Sequence, residues 1–200
     1  MRNSKFKHFK DEELVCLFIE TQRNIYFEEL YERYVNKVYR KCYSFVYDQS
    51  LAEDFTHDIF LKLVLKISSY KENSRFSTWL FSITYNYCMD QVRIGKKQGE
   101  VAIEEGFDKE EEVEDHELIN MQGQELKKSL DQISPDEKAL LLMKYQDDFS
   151  IKDIANTFKI SESAVKMRLM RTKEKIKRLY FENIAVVALL ILKIILFWKK

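Results

Sequence analysis

Only five of the 200 residues are glycine or proline, four and one respectively, against the roughly 12% usual in soluble domains. Sandwiches and barrels place glycine and proline at nearly every chain reversal. A chain this poor in both is expected to be all-α, with few reversals and long helices. Apolar residues make up 46% and charged residues 33%, a globular rather than disordered composition. No GxGxxG run occurs, and Gly95-Lys96 lacks the remainder of a phosphate loop. The three cysteines (Cys16, Cys42, Cys88) are odd in number and form no CxxC. They point to a reducing compartment without a disulfide framework or a zinc site. The opening MRNSKFKHFK has no apolar core, so no secretory signal is expected.

The formal net charge is zero, yet charge is strongly segmented. Residues 100–117 hold ten acids and one lysine, residues 159–178 hold eight Lys/Arg and two acids, and residues 1–97 hold 16 Lys/Arg and 13 acids. Two basic blocks are therefore joined by an acidic stretch. Like charges extend a chain and oppose packing, so the stretch reads as a solvated tether. The second reading is a mimic of nucleic-acid phosphate that occupies a basic groove. The expected organisation is a helical domain over 1–95, an acidic linker over 96–117, a second helical domain over 118–180 and an apolar tail over 181–200.

Apolar periodicity predicts the helices. Residues 11–21 form a short leading helix. Phe27, Leu30, Tyr31, Tyr34, Val38 and Cys42 mark one face of the next. Ser50 and Glu53 read as a capping box opening a third helix, with Leu51, Phe55, Ile59, Leu63 and Ile67 along its apolar face. After the polar loop SSYKENSR, a fourth helix carries Phe76, Leu80, Ile83 and Tyr87 to about Ile94. Beyond the tether, Leu118, Gln122, Leu126, Leu130 and Ile133 mark a helix weakened by Gly123. Ser134-Pro135-Asp136-Glu137 is a helix start with a capping serine, proline at the first position and acids in the first turn. Ser150 and Ser161 cap a short helix (151–158) and a basic helix (162–178) separated by three residues.

That spacing is a helix-turn-helix. Ile154, Val165 and Leu169 are placed to share a core, and Ala155 is small where the helices approach. Lys159 occupies a turn position that favours glycine; a positive φ there costs roughly 1 kcal/mol. The outward residues Glu162, Ser163, Lys166, Met167, Arg168, Met170 and Arg171 are suited to a major groove, where cations neutralise phosphates and a few side chains read base edges. A solvated αα-hairpin is the bland alternative.

Six aromatics fall within eighteen residues: Tyr70, Phe76, Trp79, Phe81, Tyr85 and Tyr87, flanked by Lys66, Lys71, Arg75 and Arg93. Rings stack on unpaired bases and cations follow the backbone. Phe76 and Tyr87 are in phase with the core. Tyr70 in the loop and Tyr85, off that apolar face, are the better contacts, with Trp79 between. Lys71, Asn73, Ser74 and Arg75 add polar groups to a pocket for an extruded base. The cluster Glu53, Asp54, His57 and Asp58 resembles half of a di-iron helix motif but has no second copy. No metal, cofactor or enzymatic activity is expected.

LAEDFTHDIFLKL (51–63), RFSTWLFSITYNYCMDQVR (75–93) and the block 130–177, in that order, resemble the bacterial extracytoplasmic-function sigma factors of the sigma-70 family. The resemblance covers about residues 25–95 and 118–178. It implies a subunit that binds core RNA polymerase and directs it to promoter DNA. Asp54, His57, Asp58 and Leu61 match the face that docks on the clamp helices of the largest polymerase subunit, His57 standing where glutamine is frequent. Tyr70, Lys71, Asn73, Ser74, Arg75, Trp79 and Tyr85 would capture the melted −10 strand. The helix from Glu162 would read the −35 element. An anti-sigma factor and a cytoplasmic location are implied too. The alternatives are a self-sufficient helix-turn-helix regulator and a membrane-tethered interaction protein.

The tail is no usual part of that family. Residues 184–198 are apolar except Lys193. Fifteen helical residues reach about 22 Å, short of the roughly 30 Å hydrocarbon core. Burial against protein, attachment to the inner face of the membrane and an exposed aggregation-prone tail are the three readings.

Overall fold

The computed structural model describes residue 6 and residues 8–72, 74–98 and 126–198, the side chains of 96–98 and 184–198 excepted. The chain divides into two compact units, Met1–Gly106 and Phe107–Lys200. Among the described residues every regular element is a helix and none is a strand.

The first unit holds α1 (Asp11–Thr21), α2 (Asn24–Val46), α3 (Gln49–Lys66), a single 3-10 turn at Ile67–Ser69 and α4 (Phe76–Gln98). Helix α2 is the hub, because its buried residues Leu30, Tyr34, Val38, Cys42 and Phe45 recur at three- and four-residue steps. They meet Leu14, Val15 and Phe18 of α1, Ala52, Phe55, Ile59 and Leu63 of α3, and Phe76, Leu80, Cys88 and Val92 of α4. The Arg33 guanidinium ties the chain's start to this hub. It donates to Asp11 at 2.7 Å, to Glu29 at 2.8 Å and to the carbonyls of Phe9 and Phe6. The Tyr34 hydroxyl donates to Asp11 as well.

The start of α3 departs from the sequence reading. Asp48, not Ser50, is the N-cap: its Oδ1 accepts Leu51 N–H at 2.7 Å. Both are capping residue types; the left-handed turn at Tyr47 that ends α2 leaves only one residue, Asp48, before α3 opens at Gln49.

The second unit holds residues 126–131 (α5), α6 (Pro135–Leu141) running into a π turn at Leu142–Gln146, α7 (Ile151–Phe158) and α8 (Glu162–Trp198). The Ser134 capping box forms as expected: Glu137 N–H donates to Ser134 Oγ at 3.2 Å, and Ser134 N–H to Glu137 Oε2 at 2.8 Å. Ile133, Leu140, Met143, Phe149, Ile154 and Val165 make the core. Helix α8 does not stop near residue 178; its backbone continues to Trp198. The 179–184 segment contains no glycine or proline to end it. The side chains of 184–198 lie outside the described residues, and so does the choice among the three readings of the tail. Helix α4 runs past its expected end near Ile94 to Gln98, so residues 96–98 of the expected linker 96–117 are helical; the rest of that linker, 99–117, and residues 118–125 lie outside the described residues too. Among the described residues no helix is long and apolar enough to cross a membrane.

Candidate nucleic-acid interface

Helices α7 and α8 form the helix-turn-helix; α7 has the predicted bounds and α8 opens where predicted, at Glu162, but runs on past 178. Ser150 Oγ accepts Asp153 N–H at 3.1 Å, and Asp153 returns a bond to Ser150 N–H at 3.2 Å. Lys159 takes φ 53°, ψ 45° and closes α7. Ser161 Oγ accepts Ala164 N–H at 3.2 Å, opening α8. Ile154 and Val165 are fully buried and Ala155 and Leu169 nearly so. This places Glu162, Ser163, Lys166, Met167, Arg168, Met170 and Arg171 on the exposed side of α8.

The cations of α8 are not equivalent. Lys175 Nζ binds Glu137 Oε2 at 2.8 Å, joining α8 to α6. Burial raises the Glu137 carboxyl, but the Lys175 and Ser134 hydrogen bonds outweigh it and hold it below its ordinary value. Lys173 lies over the Tyr145 ring at 5.7 Å. Arg168 and Arg171 border a 360 Å³ cleft together with Asp136 and Glu137. Lys166 is the cation nearest the start of α8 and lies outside that acidic cleft.

In the first unit Tyr70 closes the 70–75 loop on itself. Its hydroxyl donates to the Ser74 carbonyl at 2.6 Å. Its ring packs edge-on against Phe76 at 5.9 Å and tilted against Trp79 at 5.2 Å. Burial, then the charges of Glu12 and Glu72, push the phenol up to about 12. Lys71 and Arg75 are exposed, Ser74 and Trp79 half-buried, and Asn73 lies outside the described residues. Phe76 is core, as its phase predicts.

Tyr85 is a correction. It is 0% exposed, packs against Phe45 at 6.0 Å, and its hydroxyl accepts from Lys41 Nζ at 3.4 Å. A ring inside the α2–α4 interface does not reach DNA. Helix α4 contacts α2, α3 and α1, so it buries more than the single stripe read from Phe76, Leu80, Ile83 and Tyr87; Ile83 is only half-buried. The spacing Phe81, Tyr85, Cys88, Val92 carried the signal for a second buried face.

On α3, Asp54, His57, Asp58 and Leu61 are exposed along one stripe. Asp58 is nevertheless engaged: Tyr87 Oη donates to its Oδ2 at 2.5 Å. Burial and this carboxylate push the Tyr87 phenol well above its ordinary value, so it stays a donor. Lys62 Nζ lies 4.2 Å over the same ring. The stripe continues into Val64 and Leu65, which are 41% and 84% exposed. Sequence reasoning missed both, although their position one turn beyond Leu61 was visible.

Comparison with known proteins agrees with this arrangement. Residues 30–98 match the family model for sigma-70 region 2, and residues 123–176 that for sigma-70 region 4. The extracytoplasmic-function (ECF) RNA polymerase sigma factor SigW of Bacillus subtilis is 28% identical, covering 76% of this chain and 87% of its own length. SigM of the same organism is 30% identical over 76% of this chain and 94% of its own. In fold, the chain is similar to the sigma factor RpoE of Bartonella quintana, solved with the anti-sigma factor NepR (TM-score 0.60, 23% identity, 76% of this chain and 95% of that one). It is likewise similar to CnrH solved with the cytosolic domain of CnrY (TM-score 0.62, 17% identity, 86% and 98%). With both regions matched in order and a relative at 30% identity along nearly its whole length, this chain belongs to the ECF sigma factors of the sigma-70 family, which direct RNA polymerase to promoters.

Proposed function

We propose that the two units divide initiation between them. Residues 1–95 dock on the polymerase and open the promoter, and residues 118–180 read the upstream element across the linker 96–117. Asp54, His57 and Leu61, extended by Val64 and Leu65, meet the clamp helices of the largest polymerase subunit. Asp58 contributes to that face while holding Tyr87. Tyr70, Lys71, Asn73, Ser74, Arg75 and Trp79 capture a base of the melted −10 strand; Tyr85 supports them from the core. Glu162, Ser163, Lys166, Met167 and Met170 face the −35 groove, with Arg168 and Arg171 at its phosphates. Bond making belongs to the polymerase and not to this chain.

One observation carries this reading. Asp54, His57, Asp58 and Leu61 on α3 and the outward residues of α8 all lie exposed over closed cores, within reach of partners, Asp58 while also holding Tyr87. An anti-sigma partner is supported by the similarity to RpoE, solved with one. The chain is expected to act in the cytoplasm, where polymerase and DNA meet. Contact of residues 184–198 with the membrane's inner face rests on their composition alone.

The test is transcription with purified core polymerase on a genomic promoter library. Initiation at a defined promoter set that depends on this chain is the expected result. Tight duplex binding by the chain alone, unchanged by polymerase, would establish a self-sufficient regulator instead.

A further inference from the structure

Helix α1 has no role in any of the surfaces above, yet it grips the 70–76 loop at two points. Glu12 Oε1 accepts Phe76 N–H, the first donor of α4, at 2.8 Å across 64 residues of chain. One turn later on the same helix, Cys16 Sγ donates to Glu72 Oε1 at 3.1 Å. The first contact answers a local deficiency. Arg75 is the N-cap of α4, its carbonyl accepting Trp79 N–H at 3.1 Å. A guanidinium has only donors and cannot cap. The leading N–H groups of a helix need acceptors and favour negative charge, and Glu12 supplies both from outside.

The second contact holds a strained residue. Glu72 stands at φ 54°, in the left-handed region, which a side chain with Cβ disfavours. Such outliers persist where surrounding contacts over-determine them. Cys16 is kept protonated, and so a donor, chiefly by its bond to Glu72 and then by burial. Between these grips, Tyr70 holds the Ser74 carbonyl. The loop is thus anchored through the Glu72 side chain and through the backbone at 74 and 76, and two of the three anchors come from α1.

We propose that α1 is a positioning element for promoter opening: Glu12 and Cys16 hold the loop in the conformation that captures the melted strand. This inference rests on the reading of the loop as the melting element, and the experiment separates the two.

Glu12→Ala, Glu12→Gln, Cys16→Ala, Cys16→Ser and Tyr70→Ala are each assembled with core polymerase. Open complex is read by permanganate on a duplex promoter, and transcription on a pre-melted bubble. Loss of one helix cap corresponds to about a fivefold change. Glu12→Ala should lower open complex by about that factor, with polymerase affinity unchanged and near-normal activity on the bubble. Glu12→Gln keeps the acceptor and should recover most of the loss. Cys16→Ser keeps a donor and should exceed Cys16→Ala; that pair decides the matter if Glu12→Ala does not fold. If Tyr70→Ala impairs opening while every Glu12 and Cys16 variant opens normally, the positioning role is overturned and the loop reading stands. If Tyr70→Ala also opens normally, the loop reading falls and the inference with it. A Glu12→Ala defect equal on duplex and bubble, or unrelieved by Glu12→Gln, overturns the inference alone.

Discussion

Charge removal at Asp54 and Asp58 separates docking from stability, because the two carboxylates differ in what they hold. Asp54 is exposed and makes no hydrogen bond among the described residues. Asp58→Ala removes the acceptor of the 2.5 Å bond from Tyr87, whose side chain is buried beside Phe55. A hydrogen bond to a charged group contributes roughly 1.5–3 kcal/mol. Asp58→Ala is therefore expected to destabilise the first unit by about 1.5–3 kcal/mol, and Asp54→Ala by less than about 0.5 kcal/mol. At a urea dependence of roughly 1.5 kcal/mol/M, the Asp58 loss lowers the midpoint by about 1–2 M. Trp79 fluorescence in a Trp198→Phe background follows that unit. Tyr87→Phe completes a double-mutant cycle; its cost should vanish in the Asp58→Ala background. Asp54→Ala should weaken core-polymerase binding while leaving the midpoint unchanged. If Asp58→Ala unfolds at the wild-type midpoint, the Tyr87 bond contributes nothing and Asp58 belongs to the docking face alone.

Four further outcomes are expected. Lys166→Ala should relax specificity at one upstream base pair at a cost of roughly 1–3 kcal/mol, whereas Arg171→Ala should weaken all sequences alike and lower the salt slope by about one; promoter titrations at several salt concentrations distinguish them. Tyr34, Tyr70 and Tyr87 all carry raised phenols against an ordinary value of 10.0, so their contribution is complete below pH 10 and is lost as pH rises through the raised folded values. An alkaline unfolding series should show this fall, and Tyr87→Phe should flatten it. Iodoacetamide on the native protein should label Cys16 only slowly, faster once Glu72→Ala frees its thiol, and spare the buried Cys42 and Cys88, read by mass spectrometry. Lys159→Gly relieves a φ of 53° and should stabilise the second unit by about 0.5–1 kcal/mol in thermal melts, while leaving promoter specificity unchanged.

The legible parts of the fold were those that local chemistry decides. The two starts of the helix-turn-helix and the turn between them followed from Ser150 and Ser161, because a capping oxygen and a left-handed closing residue act within four residues. The exposed side of α8 followed from Val165 and Leu169, since their burial sets the helix phase. The failures came where a helix has more than one packed side. Tyr85 lay off the stripe read for α4, yet α2 covers it. Asp58 looked like a free surface charge, yet Tyr87, 29 residues later, reaches it.

Periodicity, caps and the scarcity of glycine and proline by themselves determined an all-α chain, and two motif blocks in order determined its family. Those signals act over three or four residues or within one contiguous motif. Tertiary structure alone decided which cations are spent inside the protein, as Lys175 is on Glu137, and which remain for a partner. It alone assigned the cap of α4 to Glu12, 64 residues away. Such pairings depend on where separate helices meet, and their partners carry no fixed spacing along the chain.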